Sequence, residues 1–263
     1  MGTEARRDED IVWYPSEDHM GEHELQTWLS VQLWLSVRRH LARQGREVRS
    51  GHDQFFYWKK GDPTTRLAPD VYVLDVKGPD EFMGVWKLWE GPYAPAFAVE
   101  IVGDDFHKDY DDAPVGYAQM GTRELIIFDP WATERSRVRV RWQVYRRNDA
   151  GRLVLAETSD GASVFSEHLQ CWLRRVIDEQ GRMQVRLALD ADGAQLVLTE
   201  QEAEALERER AESERERAES ERERAESERE RAESEREARR GAEAKLARLR
   251  EKLLAAGIDP DEP

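Results

Sequence analysis

Residues 96–102 read Ala96-Phe97-Ala98-Val99-Glu100-Ile101-Val102, an apolar run with one acid inside it, and the fold is decided there. The run reads as a strand, and a carboxylate within it is costly to bury unless it is paired or holds a metal. A second acid stands at the edge of another strand, where Ala68-Pro69-Asp70 opens Val71-Tyr72-Val73-Leu74. A third run, Glu124–Asp129, follows downstream.

Working outward, β-rich runs are expected at Gln54–Lys59, Asp70–Val76 and Val138–Arg146. Leu153–Glu157, Met183–Leu189 and Ala194–Thr199 read as hairpin strands around Asn148–Gly151 and Asp190–Gly193. Gly78-Pro79 and Gly91-Pro92 mark loops. Two stretches are helical. In Gly21–Ala42 the residues Leu25, Trp28, Leu29, Val31, Leu33, Leu35 and Val37 are too dense for a surface stripe, so this helix is expected to be substantially buried. The other covers about Asp112–Met120, between the runs Ala96–Val102 and Glu124–Asp129. The order predicts an α/β (α+β) fold with a mixed β-sheet flanked by helices.

The chain has 263 residues, enough for one or two domains, with 55 acidic against 40 basic side chains and a net charge of −15. All nine tryptophans precede residue 175, so residues 1–200 are expected to fold as a domain and 201–263 to form a charged helical tail. In the tail Glu-Arg-Glu-Arg-Ala-Glu-Ser occurs four times without change, from Glu207 to Ser234. Its seven-residue period aligns Ala211, Ala218, Ala225 and Ala232 with Leu246 and Leu253. The partner stripe carries Glu214, Glu221, Glu228 and Glu235 before reaching Ala242 and Leu249, which makes a weak coiled-coil seam. A solvated single helix, a homodimer through Leu246, Leu249 and Leu253, and a nucleic-acid arm are the alternatives.

Several classes are excluded or disfavoured. No apolar run approaches the ~18 residues that cross a bilayer, and Met1–Asp10 is charged where a signal peptide is apolar, so a cytoplasmic protein without membrane contact is expected. Cys171 is the only cysteine, which excludes a disulfide framework and a cysteine-based zinc site. It reads as a buried core thiol. The acidity argues against coating nucleic acid through bulk charge; a local DNA cleft has to work against the net field.

Glu22, at the start of the first helix, completes a set of three acids with Asp70 and Glu100. Carboxylates from two neighbouring strands with a backbone carbonyl, here that of Ile101, form an all-oxygen site suited to Mg²⁺ or Mn²⁺. Such an ion sharpens a water into a nucleophile and stabilises charge on a phosphodiester. On spacing alone the other reading stays open, with Glu100 paired to an arginine or lysine in the core and Asp70 capping a turn.

Ala68-Pro69-Asp70-Val71, Lys87-Leu88-Trp89-Glu90, Phe97–Val102 and Tyr117-Ala118-Gln119-Met120-Gly121-Thr122-Arg123-Glu124-Leu125-Ile126-Ile127-Phe128-Asp129-Pro130 together resemble the Uma-two family (domain of unknown function 820). That family is a branch of the PD-(D/E)XK restriction-endonuclease-like superfamily. Tyr14–Glu22 is similar to its N-terminal segment, and the charged tail ending in Gly257-Ile258-Asp259-Pro260 looks like tails on bacterial members. The resemblance implies metal-dependent cleavage of DNA phosphodiesters by an endonuclease, with a helix Glu, strand Asp and strand Glu at Glu22, Asp70 and Glu100. It also implies a lysine within Asp-x3-Lys-x3-Tyr, but here the pattern is Asp109-x3-Ala113-x3-Tyr117. Lys108 is the substitute, although on a regular helix it points about 140° away from Ala113. It reaches the site if Gly103–Tyr110 is a loop. The family's usual serine after the strand is Gly103, and Asp104, Asp105, Asp109, Asp111 and Asp112 make the neighbourhood acidic. Two functions therefore remain: an Mg²⁺- or Mn²⁺-dependent DNA endonuclease, and a catalytically degenerate nuclease fold acting as an interaction module through its tail.

His19, His23, His52 and His107 form no metal-ligand pair on one element, and there is no glycine-rich phosphate loop. The tryptophans at 28, 34, 58, 86 and 89 read as core and rim aromatics.

Overall fold

A computed structural model describes residues 24–79, 81–103, 105–133 and 135–255. It divides into two units, Met1–Glu200 and Gln201–Pro263. The expected helix is α1, Glu24–Arg43, with Glu24 in its first turn and His40 and Arg43 in its last, matching the helix dipole. Leu29, Leu33, Val37 and Leu41, spaced four apart, form its fully buried stripe, flanked by half-buried Leu25, Trp28 and Trp34.

Six strands make the main sheet: β1 (Arg49–Gly51), β4 (Val71–Leu74), β6 (Phe97–Ile101), β7 (Glu124–Phe128), β8 (Trp142–Arg147) and β9 (Leu153–Ser159). They lie in the order β1-β4-β6-β7-β8-β9. The sheet is mixed, because β6 and β7 run parallel while the remaining pairs are antiparallel. Every residue of β4, β6 and β7 is buried, as expected of strands covered on both faces.

Alternation sorts those strands into two cores. Val71, Val73, Phe97, Val99, Ile101, Ile126 and Phe128 face α1 and a three-stranded sheet of β10 (Ser163–Ser166), β11 (Cys171–Ile177) and β12 (Met183–Ala188). Cys171 is buried in that core as a free thiol. Tyr72, Leu74, Ala98, Leu125 and Ile127 face the other way, against α2 (Ala113–Met120) and a small sheet of β2 (Phe56–Tyr57), β3 (Arg66–Leu67) and β5 (Trp86–Lys87).

Two expectations are corrected, and a third, the helix at about Asp112–Met120, is met with an added feature at its start. Ala194–Thr199 is not a strand and contributes one bridge, Ala188 to Leu196. The Asp190 carboxylate accepts the Ala194 and Gln195 N–H groups, so those donors do not go to a ladder. The Asp112–Met120 helix begins at Ala113 and is preceded by a π-helical turn, Lys108–Asp112. The strand read at Val138–Arg146 starts at Trp142, leaving an irregular segment after β7. Among the described residues no helix is long and apolar enough to cross a membrane. Nearly all of the described second unit is one helix, α3 (Glu200–Ala255), whose repeats from Glu207 to Ser234 are exposed throughout.

Candidate active site

In the register of β4 and β6, Val71 faces Val99, so the next facing position, just beyond the start of β4, brings Asp70 opposite Glu100. Residues directly opposite one another project to the same side of a sheet. Asp70 is 4% and Glu100 7% exposed. The Val102 N–H bonds to Phe128 on the β7 side, so the N–H of Ile101 points towards β4. There β4 has not yet begun, and the Asp70 carboxylate supplies the acceptor at 2.6 Å. In a strand the C=O of a residue shares the edge of its N–H, so the Ile101 carbonyl lies on this same edge. The amide of Gln26, in the first turn of α1, donates to both Asp70 oxygens at 3.2 and 3.3 Å.

Glu100 accepts a hydrogen bond from the Tyr117 hydroxyl at 2.5 Å, and among the described residues no arginine or lysine pairs with it. The core ion pair that the sequence left open for Glu100 is therefore absent there. Burial pushes its pKa well above the carboxylate range, and the charges of Asp70 and Asp109 push it further; Tyr117 and Lys108 act in the opposite sense. Asp109, also buried, accepts from the Gly103 N–H at 3.2 Å, and its pKa is raised to about 6, chiefly by burial.

The π turn changes the position of Lys108. Its carbonyl accepts the Ala113 N–H, an i→i+5 bond that sets Ala113 roughly one turn above Lys108 instead of about 140° around a regular helix. Lys108 is exposed, yet close enough for its charge to favour ionised Glu100 and Asp109. Gly103–Tyr110 is thus not a loop throughout, since helical residues begin at Phe106 and the π turn at Lys108. Glu22 lies outside the described residues, as does Asp104.

Gln26, Asp109 and Tyr117 were not among the acids and lysine singled out from sequence as site residues. The spacing Asp109-x7-Tyr117 was a visible signal for two of them, whereas a glutamine in a helix carries none. Gly103 is tied to Gln26, because a Cβ there would stand 3.2 Å from its amide oxygen.

Asp70, Glu100 and the Ile101 carbonyl fit a hard divalent cation: all donors are oxygen, and crowded buried carboxylates gain from a positive charge between them. Among the described residues no three His, Cys, Asp or Glu side chains form a metal cage on their own. Two carboxylates and a carbonyl, completed by water and substrate oxygens, are what Mg²⁺ commonly uses.

No curated protein matches the chain. A crystal structure described as a "putative nuclease belonging to DUF820", from Anabaena variabilis ATCC 29413, is similar at a TM-score of 0.41 and 16% identity, covering 56% of this chain and 74% of that one. The Uma2 family, described as "Putative restriction endonuclease", matches residues 16–174. With well over half its length in that match, the chain belongs to the Uma2 family.

Proposed function

We propose that the protein is a divalent-cation-dependent endonuclease that hydrolyses DNA phosphodiester bonds, with its centre at the β4–β6 edge. The observation that carries this reading is the convergence of Asp70 and Glu100 on one side of the sheet, with the Ile101 carbonyl on the shared edge. Bound there, Mg²⁺ or Mn²⁺ would lower the pKa of a water and neutralise charge on the phosphate. Glu22 is the helix acid this reading adds.

The chain's own residues do the rest. Gln26 and the Ile101 N–H hold the Asp70 carboxylate in one orientation. Tyr117 does the same for Glu100 and favours its ionised form. Lys108 orients the attacking water and offsets the negative charge that grows as the new P–O bond forms and the old one breaks.

Asp70→Asn and Glu100→Gln are expected to abolish Mg²⁺-stimulated nicking of supercoiled plasmid while leaving the circular dichroism spectrum unchanged. Nicking equal to the parent's in both variants would remove the assignment. The second reading, a degenerate fold, is favoured by Ala113 and the acidic surroundings. Calorimetry separates them: binding of Mg²⁺ or Mn²⁺ at millimolar concentration is expected for the nuclease, and none for the degenerate protein.

A further inference from the structure

Trp131 is 44% exposed, the one exposed tryptophan among the described residues. It follows β7, whose C-terminal end lies beside that of β6 because the two strands are parallel. Trp131 lines a shallow groove with Leu25, Gln26, Ile101, Gly103 and Pro130, so two residues of the candidate centre form its other wall. Its backbone is fixed: the Asp129 carboxylate accepts the Trp131 N–H at 2.8 Å, and the same buried carboxylate binds Tyr110 and Arg139.

The segment that continues from Trp131 to β8 reads Arg135-Ser136-Arg137-Val138-Arg139-Val140-Arg141, four arginines in seven residues of a chain with net charge −15. Two of them anchor the segment. Arg139 pairs with Asp129 at 3.1 Å and lies over the Phe106 ring, while Arg141 bonds the carbonyls of Asp160, Gly161 and Ala132. Arg135 and Arg137 are exposed, and neither forms an ion pair among the described residues. An exposed aromatic beside the candidate centre, followed by two exposed guanidinium groups, matches what a nucleic-acid strand offers: a base face and successive phosphates.

We infer that Trp131, Arg135 and Arg137 form a strand-binding arm, on which an unpaired base of the substrate stacks against Trp131 while its neighbouring phosphates meet the two arginines. The inference rests on the proposed nuclease reading and adds the form of the substrate, a single-stranded or locally opened DNA segment. It also supplies positive charge where the acidic 105–112 segment would otherwise repel a phosphate backbone.

The test measures binding without turnover. Fluorescence anisotropy of a labelled single-stranded oligonucleotide is followed with Ca²⁺ in place of Mg²⁺. Trp131→Ala is expected to weaken binding at least about tenfold, with Trp131→Phe recovering most of it. Arg135→Gln/Arg137→Gln is expected to weaken binding and to lower the slope of log affinity against log salt by roughly 1.4, two phosphate contacts' worth. Parent-like binding in Trp131→Ala, an unchanged salt slope, or a parent that prefers duplex to single strand overturns the arm. So does a parent that binds no oligonucleotide. Asp70→Asn, assayed by nicking, reports on the centre alone, so either idea can fail without the other.

Discussion

Tyr117 and Asp109 act on Glu100 in opposite directions, one by a hydrogen bond to its carboxylate and the other by a neighbouring negative charge. Tyr117→Phe removes the bond that favours the ionised form. It is expected to weaken Mg²⁺ binding about tenfold at pH 7, read by calorimetry, with little change in melting temperature. An unchanged affinity would show that the 2.5 Å contact does not tune the acid. Asp109 gives a pH signature. Its pKa is raised to about 6 in the folded chain, so folding favours the protonated form, and this contribution is lost as pH rises through about 6. In cation-free buffer Asp109→Asn is therefore expected to gain stability relative to the parent between pH 5 and pH 7.5, by about 1.4 kcal/mol. A constant difference across that range would contradict the shift. Asp70 and Glu100 were legible in the sequence because a charge at the edge of or inside an apolar strand needs a reason. Gln26 was not, since its role comes from α1 passing over the start of β4.

At the scale of elements, the π turn is the feature that spacing arguments could not reach. Whether five residues make a loop, an α turn or a π turn depends on which carbonyl takes each N–H, and composition does not say. Two substitutions test its consequence. Lys108→Ala is expected to reduce the nicking rate about a hundredfold or more with Mg²⁺ affinity nearly unchanged. Ala113→Lys in that background is expected to restore part of the rate, because the π bond sets residue 113 over residue 108. No recovery in a folded double variant would separate the two positions. The mostly apolar, fully buried strands β4, β6 and β7 were read correctly, with ends shifted by one or two residues. Strands β3 and β5 are two residues each and carry no periodicity to read; they exist because β2 pairs with both.

Across the whole molecule, charge is arranged by segment, with a tail of 15 basic and 21 acidic side chains alternating over most of its length. In the heptads of α3, with Ala211 and its equivalents at the a position, glutamate occupies d, and arginine both e and g, so two copies laid side by side would bring arginines together. The full chain is therefore expected to have the mass of one protomer by light scattering at micromolar concentration. A doubled mass would contradict this and direct attention to Leu246 and Leu249, exposed leucines on the two adjoining stripes.

The repetition in α3 has a geometric result. Seven residues advance a helix by about 10 Å and turn it through nearly two full revolutions, leaving a phase error of only about 20°. Identical units are prone to be gained or lost as blocks when genes are copied. Each such event would lengthen or shorten the helix by a fixed step and bring its exposed face back to almost the same phase.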